Sequence, residues 1–161
     1  MNDLDIWDMV TSFRLTKERK IDHLDPRSIE DKPMLTKDIE DHFAMIDSSG
    51  MCNFPLICGP DEDNLRALLE TATGIDLGGY KGYMKTGERI HNQERLFILK
   101  AGFTGKDDTL PKRMLEEPVP DGPQKGQVSR LSEMLPEYYK LRGWDSSGVP
   151  TQEKLKELGL A

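Results

Sequence analysis

The stretch LTKDIEDHFAMIDSSGMC, residues 35–52, decides the fold class. Leu35, Ile39, Phe43 and Ile46 return at three- and four-residue intervals, the period of a helix that buries one face. Thr36 is placed to cap its start, and Gly50 to stop it. The polar residues between the apolar ones belong to the other face. The chain after Gly50 must turn, because glycine readily takes the left-handed conformation that ends a helix.

Reading forward, Met51–Pro60 is irregular, with Gly59 and Pro60 as punctuation. Asp61 caps a second helix, DEDNLRALLETATG, whose expected buried face is Leu65, Leu68, Leu69 and Ala72 before Gly74 ends it. IDLGGYKGYMKTG (75–87) is glycine-rich and reads as a loop. Thr86 then opens a third helix through Ile90, Glu94, Phe97, Ile98 and Ala101, closed by Gly102. Pro111 suits the first turn of a short helix, PKRMLEE. EEPVPDGPQKG is an extended connection. A long helix follows with Val128, Leu131, Leu135, Tyr138 and Tyr139, ending at Gly143. Thr151 caps a last one with Leu155 and Leu158, stopped by Gly159. No paired strands joined by a tight turn are signalled. The expected fold is all-α, an irregular helical domain of about five to six helices joined by long Gly/Pro-rich connections.

Reading backward, residues 1–34 are weakly patterned. A short amphipathic piece at Ile6, Met9, Val10 and Phe13 gives way to the charged run KERKIDHLDPRSIEDKP, which reads as an N-terminal segment or linker. The helical domain is therefore expected over 35–161. The chain has 161 residues, enough for one ordinary domain, with 36% hydrophobic and 32% charged residues. The net charge of -7 argues against nucleic acid, whose phosphates want a basic face. No run approaches the roughly 18 apolar residues of a membrane helix. MNDLDIWDMV lacks the basic and apolar regions of a signal peptide, so the location expected is cytoplasmic.

The chemistry concentrates in IDSSGMCNF. Asp47, Gly50 and Cys52 form a D-x-x-G-x-C pattern at a helix exit. Past the glycine the thiol projects from an irregular loop whose free N–H groups can bond a cluster sulfur. Asp47, on the last turn, can offer a carboxylate to the adjacent N–H donors of a pterin-type ring. The same spacing also describes a helix ending in glycine before a buried structural cysteine, and cysteine type alone favours that simpler account. A Cys52–Cys58 disulfide is open in principle but out of place in a reducing cytosol.

The segments EDHFAMIDSSGMCNF, ETATG, GERIHNQERLF, AGFTGKDDTLPKRMLEEPVPDGPQKG and MLPEYYKLRGWDSSGVPTQEKLKELGL together resemble, in order and spacing, the C-terminal domain of the aldehyde:ferredoxin oxidoreductase family. That family's members are tungsten or molybdenum enzymes with two pterins and a 4Fe–4S cluster. The resemblance covers about residues 35–161 and implies a set of roles. Cys52 would be the fourth cluster ligand, and Asp47 and the backbone of Met51 pterin contacts. The other three ligands form a C-x-x-C-x-x-x-C motif that is not present here. A missing N-terminal pterin- and cluster-binding part, ferredoxin and an aldehyde are the implied partners, and the isolated chain is not expected to be active or to bind cofactor. No catalytic residue is assigned. His23 does not match the family's acid–base histidine well enough to take that role.

The remaining polar residues have plainer readings. Cys58 fits no closed zinc pattern with Cys52 and His42. His42 and His91 read as surface or supporting residues rather than ligands. Glu88 and Arg89 read as a charge partner for an interdomain contact or as dipole-compensating residues at a helix start. Asp107 and Asp108 read as turn and N-cap chemistry, Trp144, Tyr138 and Tyr139 as core or interface anchors, and Asp145–Gly148 as a turn. The rival account of the whole chain is a non-catalytic helical interaction module or a degenerate paralogue that kept the fold.

Overall fold

The computed structural model describes residues 28–52 and 62–161. Six helices run through them: α1 (Lys32–Ser49), α2 (Glu62–Thr73), α3 (Gly79–Lys100), α4 (Lys112–Glu116), α5 (Leu131–Arg142) and α6 (Gln152–Glu157). Among the described residues the one piece of β-pairing is an isolated antiparallel bridge between Trp144 and Pro150. The architecture is all-α, as the apolar periodicities require. None of these helices is long and apolar enough to cross a membrane. The chain divides into two compact units, one built from residues 38–52 and 62–93, the other from residues 28–37 and 94–159.

In the first unit Met45, Ile46, Leu65 and Tyr83 form the buried centre, with Phe43, Met51, Leu69, Leu77, Tyr80, Met84 and Ile90 packed against it. The expected seam of α1 is thus present at Ile46 and widened by Met45. On α2, only half of the expected face is inside. Leu65 is fully buried and Leu69 partly so, whereas Leu68 and Ala72 are exposed. Four apolar positions on a short helix do not all find a neighbour, because burial follows the surface offered by α1 and α3 rather than the period alone.

α1 starts before Thr36. It opens at Lys32, with Pro33 in its first turn, where proline's missing N–H costs nothing, and Thr36 lies inside the helix and exposed. The larger departure is 75–87. Gly79 to Gly87 is the first half of α3 rather than a loop, and Thr86 sits well inside, donating its hydroxyl to the carbonyl of Gly82 at 2.9 Å. Gly82 and Gly87 are there for closeness. A Cβ on Gly82 would overlap the carbonyl of Leu77, and one on Gly87 would overlap the backbone carbonyl of Asp41 on α1. Glycine's helix penalty of about 1 kcal/mol is offset where two backbones pack this tightly.

In the second unit the buried apolar residues include Leu35, Tyr139, Trp144, Leu155 and Leu158. α5 begins at Leu131, so Val128 is outside it and exposed. Its end is built by Gly143 at φ 68°, with Gly143 N–H bonded to Lys140 O and Trp144 N–H to Tyr139 O. That pair of bonds satisfies the last helical carbonyls and swings Trp144 back over Tyr138 and Tyr139, with ring centroids 5.8 and 5.9 Å away. Trp144 and Tyr139 are core anchors, as their type suggests. Thr151 caps α6 by accepting from Lys154 N–H at 3.2 Å.

Candidate functional site

α1 delivers Asp47 on its last turn, exposed to solvent. The helix stops because Gly50 takes φ 71°, its N–H returning to Asp47 O at 3.1 Å. Ser49 ties the turn from within, donating its hydroxyl to Ile46 O at 2.6 Å and accepting from Met51 N–H at 3.2 Å. Met51 is half-buried, its side chain packed against the core of the first unit. Cys52 follows as a free, exposed thiol. The three sequence-predicted site residues therefore stand at one helix exit, and the exposed ones are the carboxylate and the thiol. Cys58 and His23 lie outside the described residues. Among the described residues no group of three or more His, Cys, Asp or Glu side chains is arranged to hold a metal ion.

His42 is not a surface residue. It is 2% exposed, and its Nδ1 pairs with the hydroxyl of Tyr83 at 3.1 Å. Its place on the inner side of α1, one residue from Phe43, puts it in the polar margin of the core. His91 is part-buried and lies 3.9 Å from the carboxylate of Glu40.

A second polar cluster in the other unit was not legible as such. Arg95, 5% exposed, holds Asp108 with both arms of its guanidinium and donates Nε–H to Gly148 O at 2.8 Å. Tyr139 donates its hydroxyl to the same carboxylate, and Arg95 lies 4.7 Å over the Trp144 ring. Asp108 is thus an ion-pair partner and not an N-cap; α4 has Pro111 before it and no side-chain cap. Asp107 does make the turn, accepting from Thr104 N–H at 2.8 Å. Burial pushes the Asp108 carboxyl up, but the bonds from Arg95 and Tyr139 and the Arg95 charge outweigh it and leave it below the ordinary carboxylate value. Burial and the bond to Asp108 push the Tyr139 phenol up to about 12. The pair, with the bonds from Arg95 to Gly148 O and from Tyr139 to Asp108, ties α3, the turn after it and α5 together and so holds structure. Arg95 and Asp108 are separated by a helix end and a turn, so no local spacing signals the pair.

The helical architecture agrees with what the known proteins show. A sequence model described as aldehyde ferredoxin oxidoreductase, domains 2 and 3, matches residues 6–160. The chain belongs to the aldehyde ferredoxin oxidoreductase family. It is 52% identical over 139 residues to the tungsten-containing aldehyde ferredoxin oxidoreductase of Pyrococcus abyssi, covering 85% of this chain and 23% of that protein. It is 30% identical over 125 residues to the aliphatic sulfonate oxidoreductase, WOR-like subunit, of Pyrococcus furiosus, covering 73% of this chain and 20% of that one. The chain thus spans less than a quarter of the length of the curated relatives it matches. Among solved structures, the active site complex BamBC of benzoyl coenzyme A reductase, in complex with 1,5-dienoyl-CoA, shares the fold. Its TM-score is 0.64 at 22% identity, covering 85% of this chain and 20% of that chain.

Proposed function

We propose that this chain is the helical C-terminal part of an oxidoreductase that oxidises aldehydes to carboxylic acids at a tungsten or molybdenum bis-pterin centre. Electrons would leave through a 4Fe–4S cluster to ferredoxin. The observation that carries the reading is the D-x-x-G-x-C turn at the end of α1, with Cys52 exposed and free, inside the region matched by the family. The donor set fits one corner of a cluster. A soft thiolate suits iron, and one thiolate is a quarter of what a cluster of this type needs. The other three would come from the C-x-x-C-x-x-x-C motif of the N-terminal part.

When bound, these groups supply the electron acceptance and relay that no amino-acid side chain provides. The chain's own contributions are positional. Cys52 presents its sulfur from a turn held by Gly50 and Ser49. Asp47 presents a carboxylate able to accept from adjacent pterin N–H groups, and Met51 offers its backbone beside them while its side chain anchors the turn in the core. Exposed large apolar residues, Phe97 at 73% and Ile75 at 60%, suit a domain that has a further protein part to meet.

The test is to purify the chain together with the polypeptide that completes the enzyme, measure tungsten and iron, and assay aldehyde-dependent reduction of ferredoxin. Bound metal and aldehyde-dependent reduction are expected. A metal-free assembly that reduces nothing would overturn the reading in favour of a non-catalytic helical module.

A further inference from the structure

Ser132, Leu135, Pro136, Tyr139 and Lys140 recur along α5 at spacings of three, one, three and one, which puts them on one helical face. That face borders a cleft of about 550 Å³ in the second unit. The turn after the helix, Trp144 to Ser146, and Thr151 at the start of α6 border it as well. The volume lies within the range of small-molecule sites, roughly 300–1,000 Å³. Its inner wall is aromatic and fixed. Tyr139 and Trp144 are buried, with ring centroids 5.9 Å apart. Asp108 holds the Tyr139 hydroxyl, and Arg95 lies 4.7 Å from the centroid of Trp144. With Leu135 and Pro136, the two rings give the cleft a largely apolar lining that is in place before anything binds.

The polar groups at the cleft are mostly donors. Lys140 is exposed, and among the described residues no carboxylate pairs with it, in a chain whose net charge is -7. Ser132 and Ser146 bring exposed hydroxyls. Thr151 accepts from Lys154 N–H and so keeps its own proton to give. The one acid at the cleft, Asp145, is held in its own turn, its Oδ1 receiving Ser147 N–H at 2.8 Å and Val149 N–H at 3.0 Å. Flat apolar walls, with an unpaired cation and hydroxyl donors at their edge, are the complement of a small organic anion.

We infer that this cleft binds a small aromatic carboxylic acid as its anion, the ring lying against Tyr139 and Trp144 and the carboxylate meeting Lys140. The inference stands on the cleft alone and is independent of the role proposed for Cys52. A charge-assisted bond from Lys140 at an exposed edge is worth about tenfold in affinity.

The test titrates the full chain with phenylpropionate, followed by amide-resolved NMR, beside the neutral phenylpropanamide and the cationic phenylpropylamine of nearly the same shape. Saturable shifts are expected at the Trp144 indole N–H and along residues 132–151, with the acid bound about tenfold more tightly than the amide or the amine. Lys140→Gln should weaken the acid to the level of the amide. Ser132→Phe, which adds a ring from an exposed position, should abolish binding by filling the cleft. Lys140→Gln changes an exposed residue and keeps a good helix former, so it decides the question even where thermal melts show Ser132→Phe to fold poorly. Absence of saturable shifts with the acid, or shifts confined to other parts of the chain, would overturn the site. Equal affinity for the three probes, or an unchanged affinity in Lys140→Gln, would overturn the carboxylate assignment and leave Lys140 as a cation that complements a helix C-terminus.

Discussion

Arg95 grips Asp108 through two parallel hydrogen bonds, Nη1 to Oδ1 at 2.8 Å and Nη2 to Oδ2 at 2.5 Å. The same guanidinium lies over Trp144 and reaches Gly148 O, so α3, the turn after it and the Trp144–Pro150 bridge are joined at one side chain. Breaking a buried pair from one side leaves the other charge stranded. Arg95→Ala is therefore expected to lower the stability of this chain by about 3 kcal/mol, more than loss of any exposed ion pair such as Arg130–Glu133. Urea unfolding of Arg95→Ala and Arg130→Ala beside the parent measures the contrast.

Asp108 and Tyr139 also set a pH dependence, one at each end. Asp108 is held below its ordinary value, so its contribution is complete above about pH 3.9, its unfolded range, and is lost as the pH falls through the lower folded value. Asp108→Asn should show a weaker acid loss of stability over that window. Tyr139 is raised to about 12, so its contribution is complete below the ordinary phenol value and fades as the pH climbs toward 12. Tyr139→Phe should remove that alkaline branch. Thermal melts across pH would show it, and curves parallel to the parent would refute the assignment.

Gly148 sits at φ 72° with the space where a Cβ would go already taken, 2.5 Å from Arg95 Nη2 and 2.9 Å from Tyr139 Oη. Gly148→Ala should cost about 1–3 kcal/mol, through the strained backbone and the displaced guanidinium together. Near-ultraviolet circular dichroism, which reads the Trp144 environment, should change with it.

Gly87 tests the corresponding contact in the other unit. A methyl there meets the backbone of Asp41, which cannot swing aside as a side chain would. Gly87→Ala gains helix propensity and should nevertheless destabilise, by about 1–3 kcal/mol, because α1 and α3 must part. A stabilised variant would show that the two backbones do not need this approach.

The two cysteines should behave differently in the complete enzyme. Cys52→Ser replaces a soft thiolate by a harder alkoxide and is expected to lose iron or shift the EPR signal of the reduced cluster. Cys58→Ser, beyond Pro55 and outside the D-x-x-G-x-C frame, should keep both close to the parent. Loss confined to Cys58→Ser would move the ligand to the other cysteine.

Where helices stop was legible in the sequence, because a left-handed glycine acts locally: Gly50, Gly74, Gly102, Gly143 and Gly159 all have positive φ just past the ends assigned to them. The all-α class followed from periodicity for the same local reason, and the D-x-x-G-x-C frame stood out as a string of residues at one helix exit. Family membership, too, was readable from ordered motifs. What spacing misjudged were the features that depend on a distant neighbour. Gly82 and Gly87 read as loop residues, since a sequence does not reveal whether a glycine serves freedom or closeness; the carbonyls of Leu77 and Asp41 decide that. Leu68 and Leu69 are indistinguishable in type, and only the packing of α2 puts one outside and the other against the core. Asp108 read as a cap until Arg95, a turn and a helix away, claimed its carboxylate. Propensity and termination are properties of a few consecutive residues, whereas burial and charge pairing belong to surfaces that exist only once the chain has folded.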